Sequence, residues 1–185
     1  MRKLLNDVGL FHRLSEVPIQ DSPQFPAQER QELRLSLIRE EVRELEKANE
    51  EQNLVEVADA IGDLIYVAVG MALEYGIPLA DVWDEIQQSN MNKVHDGHVL
   101  RREDGKILKP LGWKPPNVAG ILARRLIKVG TKVVAKDTIY DSKVQSGTPG
   151  EVVDIVNDRL LVHWHLDNNL SEIIEVEYSA VLLCA

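Results

Sequence analysis

Apolar residues recur every three or four positions through the first half of the chain, which is the spacing that places them on one face of an α-helix. Four segments carry this pattern, and prolines or short polar stretches separate them. The pattern predicts amphipathic helices at about residues 2–14, 26–48, 54–75 and 78–92. Because most of the connections are short, neighbouring helices should run antiparallel and form a four-helix bundle.

After residue 130 the pattern changes to short runs rich in β-branched residues, with turn sequences between them. We predict strands at about residues 131–135, 150–156, 159–164 and 173–176, consistent with a small SH3-like barrel. An irregular arm follows the fourth helix. The sequence thus predicts a mainly α chain with a helical domain at 1–118, a linker or short helix at 119–127 and a small β domain of unknown role at 128–185.

The composition limits the classes of protein to consider. The chain has 185 residues, of which 44% are apolar and 28% charged, as expected for a globular protein. No apolar run approaches the roughly 20 residues that cross a bilayer, and the first residues do not resemble a signal peptide, so we expect a cytoplasmic protein without membrane contact. Cys184 is the sole cysteine, which excludes a disulfide framework or a cysteine zinc site.

Charge is distributed unevenly along the chain. The net charge of -9 argues against broad nucleic-acid affinity, and none is expected of the helical domain. Residues 29–63 are rich in carboxylates, whereas residues 101–132 are basic. Such a distribution suits a site that collects cations on one side and anionic phosphate on the other.

Acidic residues on the second and third predicted helices form the most informative pattern. Glu41 and Glu44 share a helix face, as do Glu56 and Asp59, because residues three apart lie side by side. If the two helices form a hairpin, the four carboxylates converge and repel one another unless a cation lies among them. Oxygen ligands of this kind suit Mg²⁺ or Mn²⁺. The alternative is a solvated face of the second helix, on which its acids pair with Arg and Lys residues of the same helix.

Leu37-Ile-Arg-Glu-Glu-Val-Arg-Glu-Leu, followed by Glu56-Val-Ala-Asp, resembles the EExxE, spacer, ExxD signature of the MazG-like all-α nucleoside triphosphate pyrophosphohydrolases. The resemblance covers about residues 4–118 and continues through Asp59-Ala-Ile-Gly-Asp-Leu-Ile-Tyr-Val-Ala-Val-Gly, Ser89-Asn-Met-Asn-Lys and Asp104-Gly-Lys-Ile-Leu-Lys-Pro-Leu-Gly-Trp-Lys-Pro-Pro. These segments look like the subgroup related to bacterial MazG-like dUTPases and phage MazZ. The β-rich tail lies outside it.

The resemblance implies a role for each acid. Glu41, Glu44, Glu56 and Asp59 would ligate the principal Mg²⁺, for which Mn²⁺ could substitute. Glu40 would hold a second ion or accept a proton from the attacking water, so that the site would carry two or more ions. The implied chemistry is metal-assisted hydrolysis of a phosphoric anhydride.

Further polar residues are candidates for substrate contacts. Asn90 and Lys93 lie three apart at the end of the fourth helix and could both face phosphate, and Lys109 in the arm is a weaker candidate. Asp63 could bind a ligand hydroxyl, brace Lys93 or make a structural hydrogen bond. Trp113 could cap the site, although packing against the bundle is the better interpretation.

Three hypotheses about function follow. The first is an enzyme that converts a nucleoside triphosphate to the monophosphate and pyrophosphate, with dUTP, dGTP and noncanonical nucleotides as candidate substrates. The second is a catalytically silent binding module, in which the acidic hairpin holds a structural cation and the β domain recruits a partner. The third treats the helices as an assembly surface, since four short helices bury little apolar area alone and relatives form dimers or dimers of dimers.

Overall fold

The computed structural model describes residues 1–139, 143–166 and 170–184. The chain divides into two compact units, Met1–Pro116 and Asn117–Ala185. The first is mainly helical, and the second combines one α-helix with an antiparallel sheet.

All four helices predicted for the first unit are present, with ends within about two residues of those expected. Their apolar periodicity explains this agreement, because it is a local property of the sequence. The helices are α1 (Arg2–Leu14), α2 (Gln28–Glu50), α3 (Leu54–Glu74) and α4 (Leu79–Met91).

The ends of α3 have clear local causes. The Asn53 side chain accepts hydrogen bonds from the backbone N–H groups of Val55 and Glu56, which starts the helix. After α3, Gly76 adopts a φ of +62°, and a Cβ there would lie 2.1 Å from the carbonyl oxygen of Ser22. Only glycine fits this position, so the chain turns sharply toward α4.

Helices α2 and α3 make the most extensive helix contact, and α1 packs against α3. A short turn at residues 51–53 joins α2 to α3, while Arg30 and Arg34 at the start of α2 bind Glu74 at the end of α3. The two helices therefore form an antiparallel hairpin that is fixed at both ends.

The arm after α4 contains a small hairpin that the sequence analysis did not predict. Strand β1 (Val94–His95) pairs with β2 (His98–Val99), and an isolated bridge joins Arg101 to Ile107. Strands of two residues have no measurable periodicity, which explains why the pattern did not indicate them.

The second unit begins with helix α5, followed by an antiparallel sheet with the strand order β6-β5-β4-β3-β7. The four predicted strands are present, and β7 is additional. The expected SH3-like barrel is not confirmed, because β6 and β7 lie at opposite edges and the sheet is open within the described ranges. The elements are α5 (Val118–Leu126), β3 (Lys132–Ala135), β4 (Pro149–Val156), β5 (Arg159–His165), β6 (Ser171–Val176) and β7 (Val181–Leu183).

A compact apolar core supports this sheet. Trp164 and Leu160 on β5 are fully buried, together with Val133 and Val152 from the neighbouring strands. Gly150 on β4 makes room for the indole, since a Cβ there would lie 2.7 Å from Trp164 Cε3. The second unit thus has its own hydrophobic core.

The helical unit, in contrast, leaves much apolar surface exposed. On α1 Phe11 is 53% exposed, and on α3 Ile61 and Ile65 are each 45% exposed. Within the described ranges, no helix has the length and hydrophobicity needed to cross a bilayer.

Candidate active site

The α2–α3 hairpin places the predicted acids opposite one another. Glu40, Glu41 and Glu44 lie in the second half of α2, and Glu56 and Asp59 lie in the first half of α3. Because the helices are antiparallel and joined by a short turn, these segments face each other between the turn and the middle of the hairpin. The hairpin brings acids from both helices to one region.

Glu41 lies among several other carboxylates of this region. It is half-buried, whereas Glu40, Glu44, Asp59 and Asp63 are exposed. Partial burial raises the pKa of the Glu41 carboxyl, and the negative charges of Glu44, Asp63, Glu40 and Asp59 raise this pKa further. The surroundings of Glu41 thus disfavour its negative charge, which a proton or a cation would neutralise.

Nearby basic residues do not neutralise these acids. The Arg43 Nε donates to the carbonyl oxygen of Arg39, at 2.9 Å, and the Lys47 Nζ lies 3.9 Å from Glu51. In the part of the chain that the structure describes, no ion pair includes any of six acids. They are Glu40, Glu41, Glu44, Glu56, Asp59 and Asp63.

A surface pocket of about 380 Å³ lies at the turn end of the hairpin. Glu44 of α2 and Glu56 of α3 both line it, together with Lys47, Glu51 and Asn53. Two of the predicted metal ligands therefore border one cavity from opposite helices, and the cavity has room for hydrated ions or phosphate.

The acids have the chemistry that a hard divalent cation requires. Carboxylate oxygens are preferred ligands of Mg²⁺, and an uncompensated cluster of them gains from a cation. Over the described ranges, however, no three His, Cys, Asp or Glu side chains converge closely enough to hold an ion. The ligand set Glu41, Glu44, Glu56 and Asp59 stays a prediction, and so does the role of Glu40.

The candidate phosphate-binding residues form a second group, around Trp113. The Lys93 Nζ donates to Asn90 Oδ1 at 2.7 Å and lies 5.5 Å from the centroid of the Trp113 ring. The Lys109 Nζ lies 4.0 Å from the same centroid. Among the described residues, no hydrogen bond or ion pair joins this group to the hairpin acids, and none links Lys93 to Asp63.

A buried polar cluster that the sequence pattern did not indicate lies at the open end of the hairpin. Glu74 is fully buried and binds both Arg30 and Arg34, while Arg34 Nη2 lies 3.2 Å from His12 Nε2 on α1. Burial opposes the charge of Glu74, but the two guanidinium groups outweigh this effect and hold its pKa below the usual value. A glutamate within the apolar run at the end of α3 was the available signal. The cluster fixes the hairpin and does not face the acids of the candidate site.

Comparison with known families bears on the first unit. Residues 8–90 match the sequence profile of the phosphoribosyl-ATP pyrophosphohydrolase family. The matched residues make up less than half of the chain and lie within the helical unit. This unit is therefore similar to that family, which is placed in the MazG-like all-α NTP pyrophosphatase superfamily. The match covers α2, α3 and all the hairpin acids, and it supports a pyrophosphohydrolase-type activity in general.

A similar viral protein adds little about function. An uncharacterized protein of Acanthamoeba polyphaga mimivirus is 55% identical over 47 residues, which make up 25% of this chain and 19% of the relative. The alignment therefore spans about a fifth of the relative's length. Neither comparison names a role for the sheet of the second unit.

Proposed function

We propose that the chain is a Mg²⁺-dependent hydrolase that converts a nucleoside triphosphate and water into the nucleoside monophosphate and pyrophosphate. The uncompensated acids on the hairpin carry this proposal. Six carboxylates on two facing helices have no ion pair among the described residues, and such a group creates a demand for divalent cations. The pyrophosphohydrolase profile over the same residues supports the reaction class.

In the proposed mechanism, Glu41, Glu44, Glu56 and Asp59 would hold the principal Mg²⁺. Bound Mg²⁺ supplies neutralisation of phosphate charge and a lower pKa for coordinated water. Glu40 accepts the proton of the attacking water, whose oxygen forms a bond to the phosphorus of the nucleotide. The phosphoanhydride bond breaks, and its electron pair leaves with pyrophosphate.

The second group of residues would act on the phosphate chain. Lys93, oriented by Asn90, balances the charge that develops on the leaving pyrophosphate, and Lys109 supplies a second positive charge. Asp63 remains a candidate for contact with a ligand hydroxyl. The roles of Lys93, Lys109 and Asp63 are proposals.

The preferred substrate requires a direct test. We propose dUTP, dGTP or a noncanonical nucleotide from the family resemblance, and the matching family's name adds phosphoribosyl-ATP to this set. Pyrophosphate release should be measured for a panel that includes all of these, with Mg²⁺ and with Mn²⁺. Release from at least one nucleotide is expected. No release from any of them would contradict the enzyme and favour the silent binding module.

We further propose that the chain associates with itself, as a dimer or a dimer of dimers. The exposed apolar faces of α1 and α3 support this, since Phe11, Ile61 and Ile65 would gain burial against a second copy. Such an assembly would add apolar contacts that the helical unit lacks by itself.

A further inference from the structure

The group around Trp113 has a feature that the proposed function does not use. Two lysine ammonium groups lie close to one indole ring, at 4.0 Å for Lys109 and 5.5 Å for Lys93. The two lysines come from different parts of the chain, since Lys93 follows α4 and Lys109 belongs to the arm. Trp113 is therefore the residue that joins them.

Hydrogen bonds fix Trp113 against the end of α4. Its Nε1 donates to the carbonyl oxygen of Ser89 at 2.9 Å, and the Ser89 Oγ donates to the carbonyl oxygen of Lys114 at 3.2 Å. Ser89 is itself buried, at 6% exposure. These two bonds tie the indole itself and the backbone of the next residue to the end of α4, so the position of the indole is well defined.

The charges of both lysines are available to a ligand. Over the described ranges, neither Lys93 nor Lys109 belongs to an ion pair, and the contact of Lys93 with Asn90 is to a neutral amide. Two acids of the arm have other partners, since Asp104 binds Arg102 and Asp96 lies 3.0 Å from His95. Among the described residues, no ion pair joins the third acid, Glu103, to either lysine. Two positive charges lie near each other, and neither is paired with a carboxylate among the described residues. Such an arrangement favours binding of a multiply charged anion.

We propose that Trp113 is a positioning residue that gathers Lys93 and Lys109 into one binding site for the pyrophosphate part of the substrate. This inference rests on the proposed function for the identity of the anion. A lysine side chain loses conformational freedom when it binds phosphate, and contact with the ring restricts it beforehand. The ring acts through the lysines and does not take part in the reaction.

The test uses the full chain and inorganic pyrophosphate with Mg²⁺, and it measures binding by calorimetry. Trp113→Leu removes the aromatic face and should weaken binding about tenfold, because the two lysines would then lose their conformational freedom only when pyrophosphate binds. Trp113→Phe keeps an aromatic face but loses the indole N–H, so its effect should be smaller. Unchanged binding in Trp113→Leu, or no binding by the original protein, would overturn the proposal.

A double-mutant cycle separates positioning from a merely structural role. In the background of Lys93→Met with Lys109→Met, the effect of Trp113→Leu should fall below about twofold, because the residues that it positions are absent. Full additivity would show that the ring acts independently of the lysines and would contradict the proposal. Lys106→Met is the matched control, since Lys106 is an exposed lysine of the same arm outside both ring contacts.

Two further readouts distinguish the possible failures. In hydrolysis, Trp113→Leu should raise KM more than it lowers kcat, since the lysines would hold pyrophosphate before and after cleavage. Weaker binding of an unphosphorylated nucleoside, with pyrophosphate binding intact, would make Trp113 a platform for the base and refute our proposal. If no nucleotide is hydrolysed but pyrophosphate binding depends on Trp113, the proposed enzyme fails while the anion site stands. If Trp113→Leu hydrolyses the nucleotide and binds pyrophosphate as well as the original protein does, the proposed enzyme stands and the positioning role of Trp113 fails.

Discussion

Glu41 differs from the other acids of the hairpin, because it is half-buried and its pKa is raised by burial and by the surrounding carboxylates. A raised pKa in the folded state means that ionisation costs more in the folded protein than in the unfolded chain. Stability is therefore lost as the pH rises from the ordinary glutamate value of about 4.3 through the folded pKa. Above the folded pKa the cost is present in full.

This cost leads to a prediction for the protein without metal. Glu41→Gln removes one of the repelling charges and should raise the free energy of unfolding by roughly 0.5 kcal/mol. The same variant should lose the stabilisation by Mg²⁺, which in the original protein is about 1.4 kcal/mol when free Mg²⁺ is ten times the dissociation constant. Urea unfolding with and without Mg²⁺ measures both effects. Equal stabilisation by Mg²⁺ in the two proteins would place the ion elsewhere.

At this scale, the sequence predicts the candidate acids but does not rank them. Glu41, Glu44, Glu56 and Asp59 were indicated by spacing, which depends only on helix geometry. The special position of Glu41 depends on how far α3 covers α2, and the buried cluster around Glu74 depends on contacts among three helices. Both arise from tertiary packing, which spacing within one helix does not reveal.

At the scale of elements, the α2–α3 hairpin depends on the buried contact of Glu74 with Arg30 and Arg34. Glu74→Gln keeps the shape but leaves Arg34, only 6% exposed, without a carboxylate. Its free energy of unfolding should fall by about 3 kcal/mol, as expected when one member of a buried ion pair is removed. Glu46→Gln, at an exposed position of α2, is the control and should change it by less than about 0.5 kcal/mol.

The same cluster predicts a dependence of stability on pH. Burial and the charge of Arg34 lower the pKa of His12, although the charge of Glu74 acts in the opposite direction. The folded protein thus favours neutral His12, and stability is lost as the pH falls from about 6.5 through the folded pKa. Glu74, whose pKa is also lowered, adds a further loss below about pH 4.3.

Melting temperatures between pH 7.5 and pH 5 test this prediction on the full chain. The original protein should lose stability over that range, and His12→Gln should lose less, because glutamine does not titrate but can accept the hydrogen bond from Arg34. If the two proteins show the same slope against pH, His12 is not the group responsible.

Prediction of the elements succeeded where periodicity was long enough. Helices α1 to α4 and strands β3 to β6 were indicated by patterns of four or more residues. Strand β7 covers three residues, and its Leu182 and Leu183 are exposed, so no alternation of buried and exposed positions marks it. Pairing with β3 defines this strand, and that pairing joins distant parts of the unit.

At the scale of the whole molecule, the exposed apolar faces of the helical unit predict self-association. Light scattering at micromolar concentration should give a mass of at least two chains. Replacing Ile61 and Ile65 together by arginine places two charges on the α3 face and should shift the mass toward one chain. Leu170→Arg, at an exposed apolar position of the second unit, should leave the mass unchanged. A monomeric original protein would contradict the proposal.

The division into a helical part and a sheet part was visible in the sequence, because the hydrophobic period changes along the chain. The barrel was not confirmed, since closure of a sheet depends on register, bulges and edge pairing, which the period does not determine. The role of the second unit also lies beyond the sequence pattern, and the family match ends at residue 90.

The central claim is that the hairpin acids support hydrolysis of a nucleoside triphosphate, and initial rates of pyrophosphate release test it most directly. With Mg²⁺ and the best nucleotide of the panel, Glu41→Gln should lower kcat at least about 100-fold, as expected when the metal site of a hydrolase is impaired. Glu46→Gln should retain the original rate, and chelation of Mg²⁺ should abolish it. A Glu41→Gln protein that releases pyrophosphate as fast as the original would show that the reaction does not depend on these acids.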